Sequence, residues 1–507
     1  MNINIGSLLS DRAQYSPNFE AVVDPQVRYT YGTFNNRVNQ MVQWLQEQNI
    51  QKGDRVALYC RNSVAMATAF FALSKLGAIT VLLNTGLHTN ELYYMIQQSE
   101  AKAILYDDKF VQSIPQLQKI ESLQLFIQIG SNVETSHPLF DSIFSDEIVP
   151  EPTITASGDD PALLIYTSGT TGRPKGVMIS HNNLFANALA TLASIDWREG
   201  DRYLAVAPLF HISGPVIMTV CAYRGMTIVA MPEFHPVYIW DVIEKERATS
   251  FMSVPAMLQL MINAPNWLEK DISSLRSILC GGTFVPESLI RLFDSYGIHV
   301  NQVYGCTEAS GAITFWQQRL GMNKCHTAGK PLAFAQVKIF DPISGQELPI
   351  GKVGEVAVKA PYVFKGYWKN EEETQKVLRD GWLYTGDLGK LDEDGCLILV
   401  DRLKDLIISG GENVYPAEVE AILQNIDGVA EVAVIGVPDK TLGEVPRAYV
   451  VKKPDSNLTE FDILKHCYGR LAAFKCGNDV IFIDKLPRNA FGKVMKDVLR
   501  KQAAQDL

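Results

Sequence analysis

The chain is 507 residues long, 47% hydrophobic and 20% charged, the balance of a globular protein too long for one simple core, so at least two domains are expected. Its net charge of −10 argues against binding nucleic acid along a general basic surface. The eight cysteines include no CxxC pair, which argues against a disulfide framework or a zinc site and for a reducing, cytoplasmic compartment.

In chain order, MNINIGSLLSDRAQ meets Asp11 and Arg12 too early for a signal-peptide apolar stretch. Tyr31–Gln48 reads as an amphipathic helix and Arg55–Tyr59 as a buried strand. The apolar run Val64–Leu83 carries Lys75 near its middle and breaks at Gly77. It reads as a buried helix followed by a strand, so no integral membrane segment is expected; peripheral membrane contact stays open. Glu91–Gln98 is helical in pattern, and Ala103–Tyr106, Leu125–Ile129, Ala162–Tyr166, Tyr203–Val206 and Thr227–Ala230 continue the short buried strands. This alternation predicts α/β layers with mostly parallel sheets. From about 330 the strands shorten around turn signals such as DPISG (341–345) and DEDG (392–395), which predicts a β-rich subdomain over about 330–400. Beyond Asp401 comes an α+β appendage, with helices near Pro416–Gln424 and Thr459–Leu471 and strands at Val429–Gly436, Arg447–Lys452 and Val480–Ile483.

The strongest local signal, YTSGTTGRPKG (166–176), follows a predicted strand. Its glycines let backbone approach phosphate oxygens, its hydroxyls at Thr167, Ser168, Thr170 and Thr171 can donate to them, and Lys175 adds a compact cation. The spacing is not that of a Walker A loop. On chemistry alone, a flexible Gly/Thr surface turn competes with phosphate binding.

The loop resembles the signature of the adenylate-forming superfamily, which includes acyl-CoA synthetases, firefly luciferases and peptide-synthetase adenylation domains. Similar motifs recur in the family's order: YTYGTFNNRVNQ (29–40), PLFH (208–211), VYGCTE (303–308), GEVAVKAPYVFKGYW (354–368), YTGDLG (384–389), DRLKDLIISGGENVYPAEVE (401–420) and PRNAFGKVMK (487–496). The resemblance covers essentially the whole chain. It implies a large AMP-binding domain over 1–400, a hinge at 401–404 with Lys404 as pivot, and a small mobile C-terminal domain over 405–507. It also implies ATP, Mg²⁺ and coenzyme A as co-substrates and cofactor, with a carboxylic acid as the remaining small-molecule partner.

By the same resemblance, Gly169 joins the hydroxyls of the phosphate loop. Tyr304, Gly305, Gly282 and Thr283 enclose the adenine, Thr307 touches phosphate and Glu308 holds the metal. Asp387 and Arg402 contact the ribose. Lys493 bridges the attacking carboxylate and the α-phosphate, where charge builds in the transition state. Lys496, three residues on, is a decoy if that segment is helical. In the family the small domain rotates after adenylation and presents a segment like Ser409-Gly410-Gly411 to the CoA thiol arm. Residues 465–501 hold nine Lys or Arg against three Asp, which suits CoA phosphates or a solvated helix face equally.

PLFH resembles the acyl-site motif of CoA ligases, placing His211 beside the acyl group; a core histidine is the competing reading. The uncharged stretch that follows, with Gly214 and Met218, suits a tunnel lining. It lacks the Asp that amino-acid-activating domains place there. The closest likeness is to fatty-acyl-CoA synthetases, with aryl-CoA ligases of the 4-coumarate type and acyl-AMP ligases that load a carrier protein as rivals. Two departures stand out: Cys306 where Met or Leu is common, and Lys475-Cys476, which lacks the usual proline and puts a CoA role for Lys475 in doubt.

Overall fold

Sheet order follows from which strands are buried on both faces. In the computed structural model, which describes residues 2–130, 136–167, 174–265, 267–283, 285–409, 412–439, 441–468, 470–477, 479–488 and 494–505, the chain forms two compact units. One comprises Met1–Gln336 with Val358–Leu383, the other Val337–Ala357 with Tyr384–Leu507.

The first unit is built on two sheets. Five parallel strands of the smaller one run in the order Pro161–Thr167, Ile79–Leu82, Arg55–Tyr59, Ala103–Asp107, Leu125–Ile129. Lys175–Ser180 adds antiparallel to Pro161–Thr167, and the short strand Gly366–Tyr367 lies beyond it. The larger sheet has six central parallel strands: His299–Cys306, Ser277–Gly281, Ser250–Ser253, Arg202–Ala205, Thr227–Ala230 and Glu20–Val23. Antiparallel strands close both edges: Gly311–Trp316 with Lys330–Pro331 at one, and Arg28–Thr30 at the other. The α/β expectation with mostly parallel sheets holds; the antiparallel strands beside the motifs were not foreseen.

Helix Val64–Leu76 starts where the Ser63 hydroxyl accepts from the Met66 N–H and stops at Gly77, whose φ of 77° only glycine adopts without strain. Every residue of it is buried, Lys75 included. Lys75 donates to Asn35 (2.6 Å) and Asn39 (2.7 Å) and pairs with Glu151, which is how a cation survives in an apolar helix. Among the described residues, no helix is long and apolar enough to cross a membrane.

In the second unit, part of strand Trp382–Leu391 pairs antiparallel with Leu397–Arg402, setting Asp387 opposite Arg402. Residues 337–357 and 384–400 group with the C-terminal part of the chain, and 358–383 with the first unit; the sequence reading placed the whole of 330–400 with the large domain. A further sheet runs Glu412–Val414, Ile407–Ser409, Gly443–Lys452, Val429–Asp439, with Asp479–Phe482 parallel to Gly443–Lys452. Beyond an irregularity at Val429/Glu431 its side chains alternate: Val434 and Val450 face the cluster under helix Pro416–Gln424, while Ala433, Ile435 and Tyr449 face the one containing Leu499 of helix Lys496–Ala503. The C-terminal elements match the sequence reading, except that Thr459–Leu471 is helical only over Glu460–Tyr468.

Candidate active site

Parallel strands send all their C-terminal loops to one edge of a sheet, where α/β folds bind ligands. Strand Arg202–Ala205 leads to PLFH, Ser277–Gly281 to Gly282-Thr283, and His299–Cys306 to Thr307-Glu308. The three loops therefore share an edge. Gly282 turns at φ 82° and leaves Thr283 exposed. Tyr304 is 9% exposed and lies opposite Thr314. At Gly305 a Cβ would fall 2.0 Å from the Gly311 carbonyl oxygen, so only glycine lets the two strands approach here.

Thr307–Ala309 is a single 3₁₀ turn. The buried Asn187 amide fixes it by donating to the Ala309 (3.2 Å) and Ala312 (2.9 Å) carbonyls. The Phe364 N–H donates to the Glu308 carbonyl at 2.8 Å, and the Tyr367 hydroxyl donates to the Glu308 carboxylate at 3.0 Å. Burial, with the Glu308 charge adding, pushes the Tyr367 phenol far above its usual range and keeps it a donor.

Thr167 and Lys175 face each other at the base of the antiparallel pair that carries the glycine-rich loop. Ser168, Gly169, Thr170 and Thr171 lie outside the described residues. The Lys175 ammonium is 2.9 Å from the Glu373 carboxylate and 4.5 Å from the centre of the Tyr367 ring. Lys376 and then Lys175 hold the Glu373 carboxyl below its ordinary value. One tyrosine thus carries the acid on its hydroxyl and the cation against its ring. The sequence reading contained Tyr367 within a motif but gave it no role, and it missed Glu373.

The donor chemistry fits Mg²⁺. Among the described residues no group of three or more His, Cys, Asp or Glu could hold a metal ion. A single carboxylate at Glu308 suits a cation that keeps several waters and takes further oxygens from a nucleotide.

On the neighbouring loop, the buried Asn62 amide donates to the Ala205 (2.9 Å) and Ala207 (3.0 Å) carbonyls and accepts from the Leu209 N–H (2.8 Å). Those bonds fix PLFH. Burial pushes the His211 imidazole down to about 3, so it is neutral at physiological pH. Met218 is wholly buried in helix Ser213–Arg224. A Cβ on Gly214 would fall 2.1 Å from the Leu209 carbonyl oxygen, so its smallness is required by this backbone approach.

In the second unit the Arg402 guanidinium meets the Asp387 carboxylate at 2.7 Å, with Asp387 buried. Gly386 turns at φ 72°, and its N–H donates to Glu355 at 3.1 Å. Asp401 accepts from the Ala417 N–H at 2.8 Å, capping helix Pro416–Gln424. Lys404 is exposed and lies 3.3 Å from Asp497. Ser409 is buried at the end of its strand. Gly410, Gly411 and Lys493 lie outside the described residues. Lys496 begins a helix and pairs with Glu420 at 2.7 Å, and Lys475 pairs with Glu418 at 2.7 Å.

The model of the family "AMP-binding enzyme" matches residues 9–368, and that of "AMP-binding enzyme C-terminal domain" matches 418–493. A putative acyl–CoA ligase of Bacillus subtilis is 40% identical over 96% of this chain and 97% of its own length. A long-chain-fatty-acid–CoA ligase of Mycobacterium tuberculosis is 36% identical over 98% of each. The solved structure of O-succinylbenzoate coenzyme A synthetase from Bacillus subtilis, in complex with ATP and magnesium ion, superposes with a TM-score of 0.86. That protein is 34% identical, covering 98% of this chain and 99% of that one.

Proposed function

The chain belongs to the AMP-binding enzyme family and is an ATP-dependent acid–CoA ligase, and on that premise we propose that its acid is a medium- to long-chain fatty acid. The observation that carries this reading is the segment 207–222, which contains no charged residue. It runs from the loop held by Asn62 into a helix buried from Gly214 to Ala222, beside a neutral His211. Nothing in that segment can pair with a second carboxylate or with an amine, whereas an aliphatic tail needs only apolar surface. The likeness to the mycobacterial long-chain ligase points the same way. The likeness to O-succinylbenzoate coenzyme A synthetase supports the second reading, an aromatic acid. An acyl-AMP ligase that loads a carrier protein is the third.

In this reading the hydroxyls and backbone of 167–171, with Gly169 at the turn, hold the ATP phosphates, and Lys175 and Thr307 add donors to them. Glu308 would hold Mg²⁺, which would supply positive charge against the phosphates. Tyr304, Gly305, Gly282 and Thr283 enclose the adenine, and Asp387 accepts from the ribose hydroxyls with Arg402 beside it. Lys493 stabilises the charge that grows on the α-phosphate as the acid's carboxylate attacks and pyrophosphate leaves. The CoA thiol then displaces AMP from the acyl adenylate. Residues 401–404 act as the hinge and Ser409, Gly410 and Gly411 as the passage for the thiol arm. All eight cysteines are free, in keeping with a cytoplasmic location.

The test is pyrophosphate release with a panel of fatty and aromatic acids, with and without CoA. The reading expects the highest kcat/KM on aliphatic acids and a thioester product. Preference for aromatic acids selects the second reading, and acyl-AMP that accumulates unchanged in CoA selects the third.

A further inference from the structure

Lys175 and Glu308 come from motifs 133 residues apart in the numbering (308 − 175), yet both rest on the Tyr367 side chain. The Glu308 carboxylate accepts from the Tyr367 hydroxyl at 3.0 Å, and the Lys175 ammonium stands 4.5 Å from the centre of the same ring. A phenol is rigid, so contacts to its hydroxyl and its ring limit how far apart the two charges can drift. Its own place is fixed as well. The Tyr367 N–H donates to the Thr374 hydroxyl at 2.9 Å, and that hydroxyl donates to the Asn370 carbonyl at 2.8 Å.

Lys175 has four rotatable methylenes and would otherwise sample many rotamers. Glu373 restricts it. Glu373 lies in the first turn of helix Glu371–Val377, where its N–H donates to the Asn370 side chain at 3.2 Å. One carboxylate oxygen takes Lys175 at 2.9 Å and the other takes Lys376 at 2.6 Å. The Lys175 and Glu373 side chains are only 11% and 12% exposed, so water screens this contact weakly. Lys376 also pairs with Glu372 at 2.8 Å, so two cations face two carboxylates in this cluster. Glu373 therefore orients Lys175 while sharing its own charge between two ammonium groups.

We propose that Glu373 is a positioning residue for the Lys175 ammonium, and that Tyr367 is the spacer holding Lys175 and Glu308 in register for a triphosphate and its divalent cation. The proposal rests on the reading of Lys175 as a phosphate contact and Glu308 as a metal ligand.

The experiment measures ATP binding by titration calorimetry on the full chain, without acid or CoA, in the presence and absence of Mg²⁺. Glu373→Gln weakens a charge-assisted contact and is expected to raise the ATP Kd about tenfold in either condition. Tyr367→Phe keeps the ring under Lys175 and removes the hydroxyl from Glu308. It is expected to raise the Kd about fivefold with Mg²⁺ and to leave it unchanged without. In kinetics, Glu373→Gln should raise the KM for ATP, leave that for the acid unchanged, and add nothing in a Lys175→Met background. Glu373→Asp should recover part of the affinity. Parent-like ATP binding by both variants, with only the melting temperature lowered, would overturn the proposal in favour of a stabilising ion pair. Tighter ATP binding by Glu373→Gln would overturn it too, because Glu373 would then be competing with phosphate. Lys175→Met separates the premise from the proposal. If that variant binds ATP normally, the premise about Lys175 falls; if it alone is impaired, the premise stands and the roles of Glu373 and Tyr367 fall.

Discussion

At the end of strand His299–Cys306 the glycine is walled in: a Cβ on Gly305 would lie 2.0 Å from the Gly311 carbonyl oxygen and 2.8 Å from the Ala312 Cα. In the second unit Gly386 precedes Asp387, the proposed ribose contact, yet nothing lies within 4 Å of where its Cβ would be. What Gly386 satisfies is a φ of 72°. The charged pairs divide in the same way. Lys75 has no exposure and is ringed by Asn35, Asn39 and Glu151, whereas Lys404 and Asp497 are 46% and 62% exposed. In the first unit the motif geometry is held by packed backbone and buried amides, so an error there has no room to relax. In the second unit the Gly386 turn and the Lys404 pair are held instead by local conformation and solvent-facing charge, which tolerate change.

The sharpest way to break this contrast is Gly305→Ala. Backbone must move by more than an ångström to admit the methyl group, so a loss of about 3 kcal/mol in urea denaturation is expected. ATP–pyrophosphate exchange should fall below detection, because the displaced strand carries Tyr304 and the turn with Glu308. A folded, active Gly305→Ala protein would show that the two strands separate easily and that the wall is soft.

Second comes Glu151→Gln, which leaves Lys75 buried with only neutral partners. Removing one member of a buried pair costs about 3–5 kcal/mol, but Glu151 is 37% exposed and water screens it, so about 2 kcal/mol is expected. Burial raises the Glu151 carboxyl, but hydrogen bonds from Lys75, Ser10, Asn35 and Asn39 outweigh it and bring the group to about 2, below its ordinary 4.5. A depressed carboxyl stabilises the fold fully above its unfolded value and loses that contribution as pH falls through its folded value. The gap in unfolding free energy between the parent and Glu151→Gln should therefore be constant from about pH 5 to neutrality and close towards pH 2. A gap that grows on acidification would contradict the assignment.

Which of these features could be read from the linear chain depends on how far apart their partners lie. Buried strands such as Arg55–Tyr59 and Thr227–Ala230 are visible because a strand buried on both faces is a continuous apolar run. Lys75 was visible as a charge in the wrong place, but its partner Glu151 lies 76 residues away. Tyr367 and Glu308 are 59 residues apart, and Lys175 and Glu373 are 198 apart, so no local pattern encodes either contact. Gly214 was read as a small residue lining a tunnel; the structure adds that the backbone of Leu209 lies against it, a reason for its smallness that composition does not reveal. Lys496 was legible as a decoy only on the condition that its segment is helical; the helix begins at Lys496 itself, while Val494 bridges to Arg488 and Met495 lies before the helix, so the described residues do not meet that condition.

A smaller effect is expected at Gly386. Alanine in a left-handed conformation costs about 1 kcal/mol, and asparagine less, since its short amide tolerates that region. Gly386→Ala should lower the stability of the second unit modestly, and Gly386→Asn should restore most of it in the same denaturation assay. If asparagine is as damaging as alanine, the position is crowded in solution and the two units do not differ as described.

The smallest expected change in stability is at Asp497→Asn. Asp497 pairs with Lys404 at 3.3 Å and with Arg500 at 2.9 Å, and both contacts face solvent. Exposed pairs of this kind contribute about 0–1 kcal/mol and weaken with salt. The unfolding free energy should move by less than about 0.5 kcal/mol. The informative readout is therefore kinetic. If residues 401–404 pivot between the two half-reactions, freeing the Lys404 side chain should alter thioester formation and leave acyl-AMP formation, measured by pyrophosphate exchange, unchanged. Equal effects on both half-reactions would place Lys404 in general catalysis or folding and remove the reason to call it a pivot. A loss of several kcal/mol would show that a solvent-facing pair can hold this unit as firmly as packed backbone holds the first, which is the result the contrast between Gly305 and Gly386 rules out.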